Sequence, residues 1–278
     1  MEEETERAFP ISNSMIILMI VSLASLFYLA LQKYYIEDLQ GMMIVMLQGL
    51  FVGLGLMLAI SYKRADPDFG TYAKVKQPTA ISFGLLLGLG MALAIMFLGN
   101  QFSLFSMTGG THSIFSSVSG ITFDSTFHSG MANWINFTAF FSLSGTEIAT
   151  IILSTFFVAI SEEAFFRFTL PSLIYRFRGE EGYWSSSIVG LIVFGMYHAF
   201  VGGIMVDLFG GMVHTIVITI LGFIFIVIYY YTRSLLATFS FHFIYNFLLI
   251  TGAILFGLIF LGISVLGTVI YYQYQRKW

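Results

Sequence analysis

The sequence predicts an all-α protein that crosses a lipid bilayer about eight times. Two properties of the composition support this class: 58% of the 278 residues are hydrophobic, and only 10% carry a charged side chain. Soluble globular domains contain about 25% charged residues, so this composition is typical of a polytopic membrane protein. The third observation is a series of apolar stretches of about 20 residues, the length that a helix needs to cross the hydrocarbon core.

Eight apolar stretches predict eight transmembrane helices. Their approximate bounds, in chain order, are 14–32, 40–61, 79–99, 147–175, 185–201, 211–231, 235–252 and 253–273. The first follows an acidic segment with a single arginine, which is the wrong flank for a secretory signal peptide. The last two divide one long apolar stretch, which is punctuated only near Thr251 and at Gly257.

The distribution of basic residues predicts that both termini are cytoplasmic. Lysine and arginine near the ends of transmembrane helices concentrate on the cytoplasmic side. With the N-terminus inside, only Lys33 falls outside, and Arg167 lies within a span. The other ten fall on the cytoplasmic side: Arg7, Lys63, Arg64, Lys74, Lys76, Arg176, Arg178, Arg233, Arg276 and Lys277. We expect the protein to reside in the plasma membrane.

The chain is predicted to form one integral-membrane domain, residues 1–278, with four parts. Residues 1–99 supply the first three spans, and residues 100–146 form an external loop or lid that is rich in aromatic residues. Residues 147–252 form the spans that carry the candidate catalytic motifs, and residues 253–278 form the last span and a basic tail.

Three short fragments place ionisable and amide side chains inside these apolar spans: Ser161–Arg167, Phe194–His198 and His242–Asn246. A charged side chain at the centre of a membrane helix costs about 2.5 to 3.5 kcal/mol on insertion scales. Such residues usually face a protein interior or a hydrated cavity, and they mark functional sites. The fragments therefore predict an active site.

Helical spacing assigns different roles to the two adjacent glutamates. Glu163 and Arg167 are four residues apart, so they share a helix face and can form an ion pair. Glu162 lies about 100° further round an α-helix, so the same arginine does not automatically neutralise it. One carboxylate is then structural and the other is free to act as a base.

Helical rise also places the fragments at comparable depth. From the cytoplasmic ends of their helices, Glu162 and His198 lie roughly 20 Å into the membrane and His242 roughly 10 Å, which allows them to meet. Asn246 follows His242 by one turn, and Phe194 precedes His198 by one turn and can support its imidazole.

The three fragments together supply a general base, a second proton carrier, and donors for a developing oxyanion. The chain contains no cysteine, and no serine is obviously activated, so water is the expected nucleophile. This reasoning does not separate peptide hydrolysis from other acyl-transfer chemistry.

The order and spacing of these fragments resemble the three motifs of the CPBP family of intramembrane proteases. The family contains CAAX prenyl endopeptidases of the Rce1 type and bacteriocin-processing or self-immunity proteins. The matching patterns are Glu162-Glu163-x-x-x-Arg167, Phe194-x-x-x-His198 and His242-x-x-x-Asn246. The resemblance covers about residues 147–252.

The resemblance implies a glutamic endopeptidase with eight helices and no cofactor. Glu162 and His198 would activate a water molecule, and His242 and Asn246 would stabilise the oxyanion. Glu163 and Arg167 would hold the first-motif helix in place. The implied partners are the lipid bilayer and a membrane-associated peptide, such as a prenylated C-terminal sequence or a leader peptide, and no nucleic acid.

Three alternatives remain open from the sequence. Glu162, His198 and His242 are suitable zinc ligands by type, although the chain has no His-Glu-x-x-His sequence. A carboxylate and histidine network can instead relay protons in a transporter, although no repeat typical of transporters is present. The third alternative is an immunity or scaffold protein that binds a peptide without cleaving it.

Overall fold

The computed structural model describes residues 9–35, 39–66, 75–102, 144–178, 183–201, 208–251 and 254–275. All secondary structure within these ranges is helical. In chain order the helices are α1 (Asn13–Tyr35), α2 (Leu39–Ala65), α3 (Gln77–Phe102), α4 (Gly145–Glu162), a π-helical segment (Glu163–Thr169), α5 (Leu170–Arg178), α6 (Tyr183–Val201), α7 (Leu208–Thr232), α8 (Leu235–Thr251) and α9 (Ile254–Gln275).

These helices confirm the predicted all-α class. Each predicted span coincides with one helix, except that the span 147–175 corresponds to α4, the π-helical segment and α5 in continuous succession. Among the described residues, five helices meet the length and hydropathy of a membrane span: Asn13–Leu31, Gly41–Ala65, Gln77–Ala94, Gly145–Arg176 and Gly257–Gln275. The number of eight crossings and the cytoplasmic termini stay predictions. Residues 103–143, nearly all of the predicted lid, lie outside the described ranges.

A capping box fixes the beginning of α4. The Ser144 hydroxyl accepts a hydrogen bond from the Glu147 backbone N–H (3.3 Å), and the Glu147 carboxylate accepts one from the Ser144 N–H (2.7 Å). This reciprocal arrangement satisfies two amide groups that the first turn of a helix leaves without partners. It sets where the helix that carries Glu162 begins.

The π-helical segment is the main departure from the sequence prediction, which assumed a regular α-helix through Glu163 and Arg167. The Leu170 N–H donates to the Phe165 carbonyl, five residues earlier. The Thr169 hydroxyl donates to the Ala164 carbonyl at 2.7 Å. Because a π-turn holds more residues than an α-turn, successive side chains diverge by less than 100°, and such turns are frequent at functional sites. Glu162 and Glu163 lie where the α-helix passes into this segment, and both side chains are buried.

Small residues let the helices around this segment approach closely. A side chain on Gly84 or Gly88 of α3 would collide with the backbone of α8, at the carbonyl oxygens of Ala237 and Phe241 respectively. Gly55 of α2 faces Ala164, at 3.2 Å from the position of its missing Cβ. Close approach through small residues is a common way for membrane helices to pack. These contacts hold α3 against α8, and α2 against the π-helical segment.

We predict that Gly84→Ala destabilises the protein and that Gly90→Ala does not. Both glycines lie in α3, but a Cβ at Gly84 meets the Ala237 carbonyl, whereas a Cβ at Gly90 meets nothing within 4 Å. Overpacking costs about 1 to 3 kcal/mol, while an unhindered glycine-to-alanine change in a helix gains about 0.5 to 1 kcal/mol. Thermal unfolding in detergent measures both variants. Equal melting temperatures would show that α3 and α8 are not in contact here.

Candidate active site

Four structural elements bring the predicted site residues together. Glu162 ends α4, Glu163 and Arg167 lie in the π-helical segment, His198 lies in α6, and His242 lies in α8. All five side chains are buried, with exposures of 1% for Glu162, 0% for Glu163, 3% for Arg167, 5% for His198 and 4% for His242. Titratable groups as buried as these need partners, and the contacts below describe them.

Glu162 faces both imidazoles. Its Oε2 atom lies 3.6 Å from Nε2 of His198 and 3.6 Å from Nε2 of His242. These distances are too long for direct hydrogen bonds, and neither Glu162 oxygen has a hydrogen-bond partner among the described residues. A buried carboxylate requires donors. A water oxygen at about 2.8 Å from both the carboxylate and an imidazole nitrogen fits this spacing.

Glu163 has different surroundings, as the sequence predicted. Its Oε1 atom lies 2.9 Å from Nδ1 of His242 and 3.6 Å from Nη1 of Arg167. The predicted pairing of Glu163 with Arg167 is therefore present, and His242 joins it. The Arg167 guanidinium also lies 4.0 Å from the ring centre of Phe194 and 4.7 Å from that of Phe225, so two aromatic faces stabilise the buried cation.

The hydrogen bonds at Nδ1 fix the orientation of both histidines. Nδ1 of His198 lies 3.0 Å from the Phe194 carbonyl oxygen. A carbonyl only accepts, so His198 carries a proton at Nδ1. The Glu163 carboxylate makes the same demand on Nδ1 of His242. In the neutral state both rings therefore turn an unprotonated Nε2 towards Glu162, where each can take up and return a proton. The Phe194 ring packs against the His198 imidazole, with ring centres 4.2 Å apart.

A comparison with known protein families found a match. Residues 144–248 match the family model of type II CAAX prenyl endopeptidase Rce1-like proteins. We call these residues the Rce1-like domain, after the family to which they are similar. No match was found among curated proteins or among solved structures. The finding confirms the resemblance to the CPBP and Rce1-like group and supports an integral membrane protein with endopeptidase activity.

The Rce1-like domain begins at the cap of α4 and ends within α8, so it contains every predicted site residue. Asn246 also lies in it, one turn after His242 in α8, and its side chain is half-buried. Its part in the chemistry stays a prediction. Helices α1 to α3 and α9 lie outside the matched residues.

Three further residues contact the site and were not predicted from the sequence. Gln48 of α2 is fully buried, and its Nε2 donates to the Tyr197 hydroxyl at 3.3 Å. The Tyr197 ring packs edge-on against His198, with ring centres 5.1 Å apart. Phe225 of α7 stacks on His242, with ring centres 4.9 Å apart. Gln48 could have been found as a lone amide in an apolar span. Phe225 is one of 31 phenylalanines, so no signal distinguishes it.

The zinc alternative has no direct support from the geometry. Within the part of the chain that the structure describes, no group of three histidine, aspartate or glutamate side chains is arranged to hold a metal ion. Activity in the presence of a chelator distinguishes the two chemistries experimentally.

We predict that Arg167→Met destabilises the protein by about 3 to 5 kcal/mol, because it leaves the buried Glu163 charge without its cation. The double variant Arg167→Met/Glu163→Gln should recover part of that loss, since no uncompensated charge remains. Arg64→Met, at an exposed arginine of α2, is the control and should change stability by about 0.5 kcal/mol or less. Unfolding free energies of the four proteins test this. A loss at Arg167 no larger than that at Arg64 would refute the structural role of the pair.

Proposed function

We propose that the protein is a membrane endopeptidase of the glutamic type, in which Glu162 and His198 activate a water molecule. One observation carries the proposal. The Glu162 carboxylate, which lies within a predicted membrane span, is 3.6 Å from Nε2 of His198 and 3.6 Å from Nε2 of His242. Both Glu162 oxygens need donors, and the spacing suits a bridging water. The Rce1-like match supports hydrolysis of a peptide bond rather than another acyl transfer.

The reaction begins with proton transfer from the water to Glu162 while the water oxygen attacks the carbonyl carbon of the scissile bond. The carbonyl oxygen becomes an oxyanion, and we assign its stabilisation to the Asn246 amide and to His242. His242 donates from Nε2 when it carries a second proton, since Nδ1 is held by Glu163. The proton on Glu162 then passes, through His198, to the departing amine nitrogen, and the C–N bond breaks. Glu162 and His198 return to their starting states.

Glu163 and Arg167 act in this proposal as positioning residues. Glu163 fixes the ring of His242, and Arg167 pairs with Glu163 while its guanidinium packs against Phe194. Phe194 in turn supplies both the carbonyl and the ring that orient His198. One connected cluster of Glu163, Arg167 and Phe194 therefore orients both imidazoles that face Glu162.

The proposed substrate is a membrane-associated peptide, either a prenylated CAAX sequence or a leader peptide, cleaved at the plasma membrane. A buried site among apolar helices suits a substrate that is already anchored in the bilayer. Cleavage of a farnesylated peptide, compared with its unmodified twin, by the purified protein in liposomes decides whether the prenyl group is required.

We predict that Glu162→Gln lowers the rate of cleavage of the farnesylated peptide by about 10²- to 10⁴-fold, which is the usual contribution of a general base. The variant should still insert into the membrane, and its melting temperature should equal that of the wild type. Glu147→Gln is the matched control. It lies in the same helix, is exposed, and can keep the capping box because glutamine also serves there. Its activity should equal that of the wild type.

Full activity in Glu162→Gln would contradict the proposal. Activity that is lost with a chelator and restored by Zn²⁺ would favour the zinc alternative. A protein that binds the peptide but leaves it intact would be the scaffold of the third alternative.

We predict that Asn246→Ala lowers kcat by about 10²- to 10³-fold, which is the effect of removing one oxyanion donor. KM should change little, because the interaction forms in the transition state. Asn246→Asp keeps the side-chain size but loses the amide donor, so it should be equally impaired. Initial rates over a range of peptide concentrations give both constants. A loss smaller than tenfold, or one confined to KM, would remove Asn246 from the oxyanion site.

A further inference from the structure

A groove between α3 and α9 lies outside the Rce1-like domain. It has a volume of about 1000 Å³ between the first half of α3 and residues Phe260–Tyr271 of α9, and we call it the α3–α9 groove. Its lining residues are Val75, Lys76, Gln77, Pro78, Ile81, Leu85, Phe260, Ile263, Ser264, Gly267 and Tyr271. Helix α9 packs mainly against α3, so the groove opens to the outer surface of the helix bundle.

The length of the groove matches one leaflet of a bilayer. From Gln77 to Leu85 the rise of α3 is about 12 Å, and from Phe260 to Tyr271 the rise of α9 is about 16 Å. Half of a hydrocarbon core is roughly 15 Å thick. The groove therefore runs from the end of the span to about the middle of the membrane, the depth that one acyl chain occupies.

Inside its mouth the groove is apolar apart from Ser264, whose hydroxyl is already paired. Ser264 faces Ser82 of α3 at 2.8 Å, and Ser82 also lies 2.9 Å from the Thr268 hydroxyl. These hydroxyl contacts join the two helices. Aliphatic and aromatic side chains form the rest of the lining inside the mouth, which suits a hydrocarbon chain and offers a polar ligand little to bind.

The mouth of the groove carries a positive charge. Lys76 is exposed, and its Nζ lies 5.6 Å from the ring centre of Tyr271 and 5.7 Å from that of Tyr272. Tyrosine concentrates at membrane interfaces, so this is the level at which lipid phosphates lie. The charge distribution of the sequence puts Lys76 on the cytoplasmic side, where anionic lipids are enriched and where basic pockets between helices bind their head groups.

We propose that the α3–α9 groove binds one anionic phospholipid, with an acyl chain along the groove and the phosphate beside Lys76. The apolar length accounts for the chain, and the cation at the mouth accounts for the preference for an anionic head group. The site contacts none of the residues assigned to peptide cleavage, so it does not depend on the proposed enzymatic function.

The glycines of α9 provide a steric test. Gly267 lines the groove, and a Cβ there would meet no atom within 4 Å. Leucine at this position should fill the groove without displacing a helix. Gly262 lies in the same helix, has equally open surroundings, and does not line the groove. Gly262→Leu is therefore the matched control for Gly267→Leu.

The experiment compares the full-length protein in detergent with phosphatidylglycerol and with phosphatidylcholine of identical acyl chains. Native mass spectrometry counts the lipids retained, and the melting temperature is followed over a lipid titration. We expect one phosphatidylglycerol per chain and a rise in melting temperature, with little effect of phosphatidylcholine. Lys76→Glu should weaken binding of phosphatidylglycerol by about fivefold or more, since one basic residue near an anionic surface contributes on that scale. Gly267→Leu should abolish binding, and Gly262→Leu should leave it intact.

Three results would overturn the proposal. The first is equal retention of the two lipids by the wild type, and the second is unchanged binding of phosphatidylglycerol by Gly267→Leu and Lys76→Glu. The third is a lipid-free dimer of the wild type that Gly267→Leu dissociates, because a second copy of the chain would then be the occupant. Peptide cleavage is measured separately, so its failure would leave this result unaffected.

Discussion

The buried contact of Glu163 with Arg167 and His242 is the interaction on which the rest of the site depends. It joins the π-helical segment to α8, and the stacking of Arg167 on Phe194 extends the connection to α6. Because Arg167 pairs with Glu163, Glu162 faces two imidazoles instead of a permanent cation. The same cluster offsets much of the cost of placing charge inside apolar helices. A carboxylate held in an ion pair and one that faces two imidazoles are therefore neighbours in the chain.

The π-helical segment begins between the two adjacent glutamates, since Glu162 ends α4 and Glu163 is the first residue of the segment. Both carboxylates contact His242 of α8, Glu162 at Nε2 and Glu163 at Nδ1. The Thr169 hydroxyl donates to the Ala164 carbonyl within the altered hydrogen-bond pattern. The tight packing of Gly55 against Ala164 places α2 directly on this segment. The first spans, although outside the Rce1-like match, form a wall of its site through Gln48 and its bond to Tyr197.

Much of the fold could be predicted because membrane spans are encoded by hydropathy over about 20 residues, and each predicted span falls on observed helix. The three polar fragments were equally visible, since a glutamate or histidine stands out in an apolar run. The π-helical turn could not be predicted in this way, because its residues have the same hydropathy in either helical form. The stacking of Phe225 on His242 also could not be predicted, because it depends on how α7 packs against α8 in the tertiary structure. Helical rise gave Glu162 and His242 depths that differ by about 10 Å, and their contact depends on the packing of α8 against α4 and the π-helical segment.

The absence of cysteine from the chain allows the most direct test of the central claim, which is that Glu162, His198 and His242 converge. Cysteines introduced in pairs at 162 with 198, and at 162 with 242, can be treated with a short bifunctional thiol reagent and scored by protection from a maleimide. The account predicts that both pairs are bridged within one chain. Position 196, on an exposed face of α6, should not be bridged to 162. Bridging of 162 to 196 as readily as to 198, with no bridging to 242, would contradict the account.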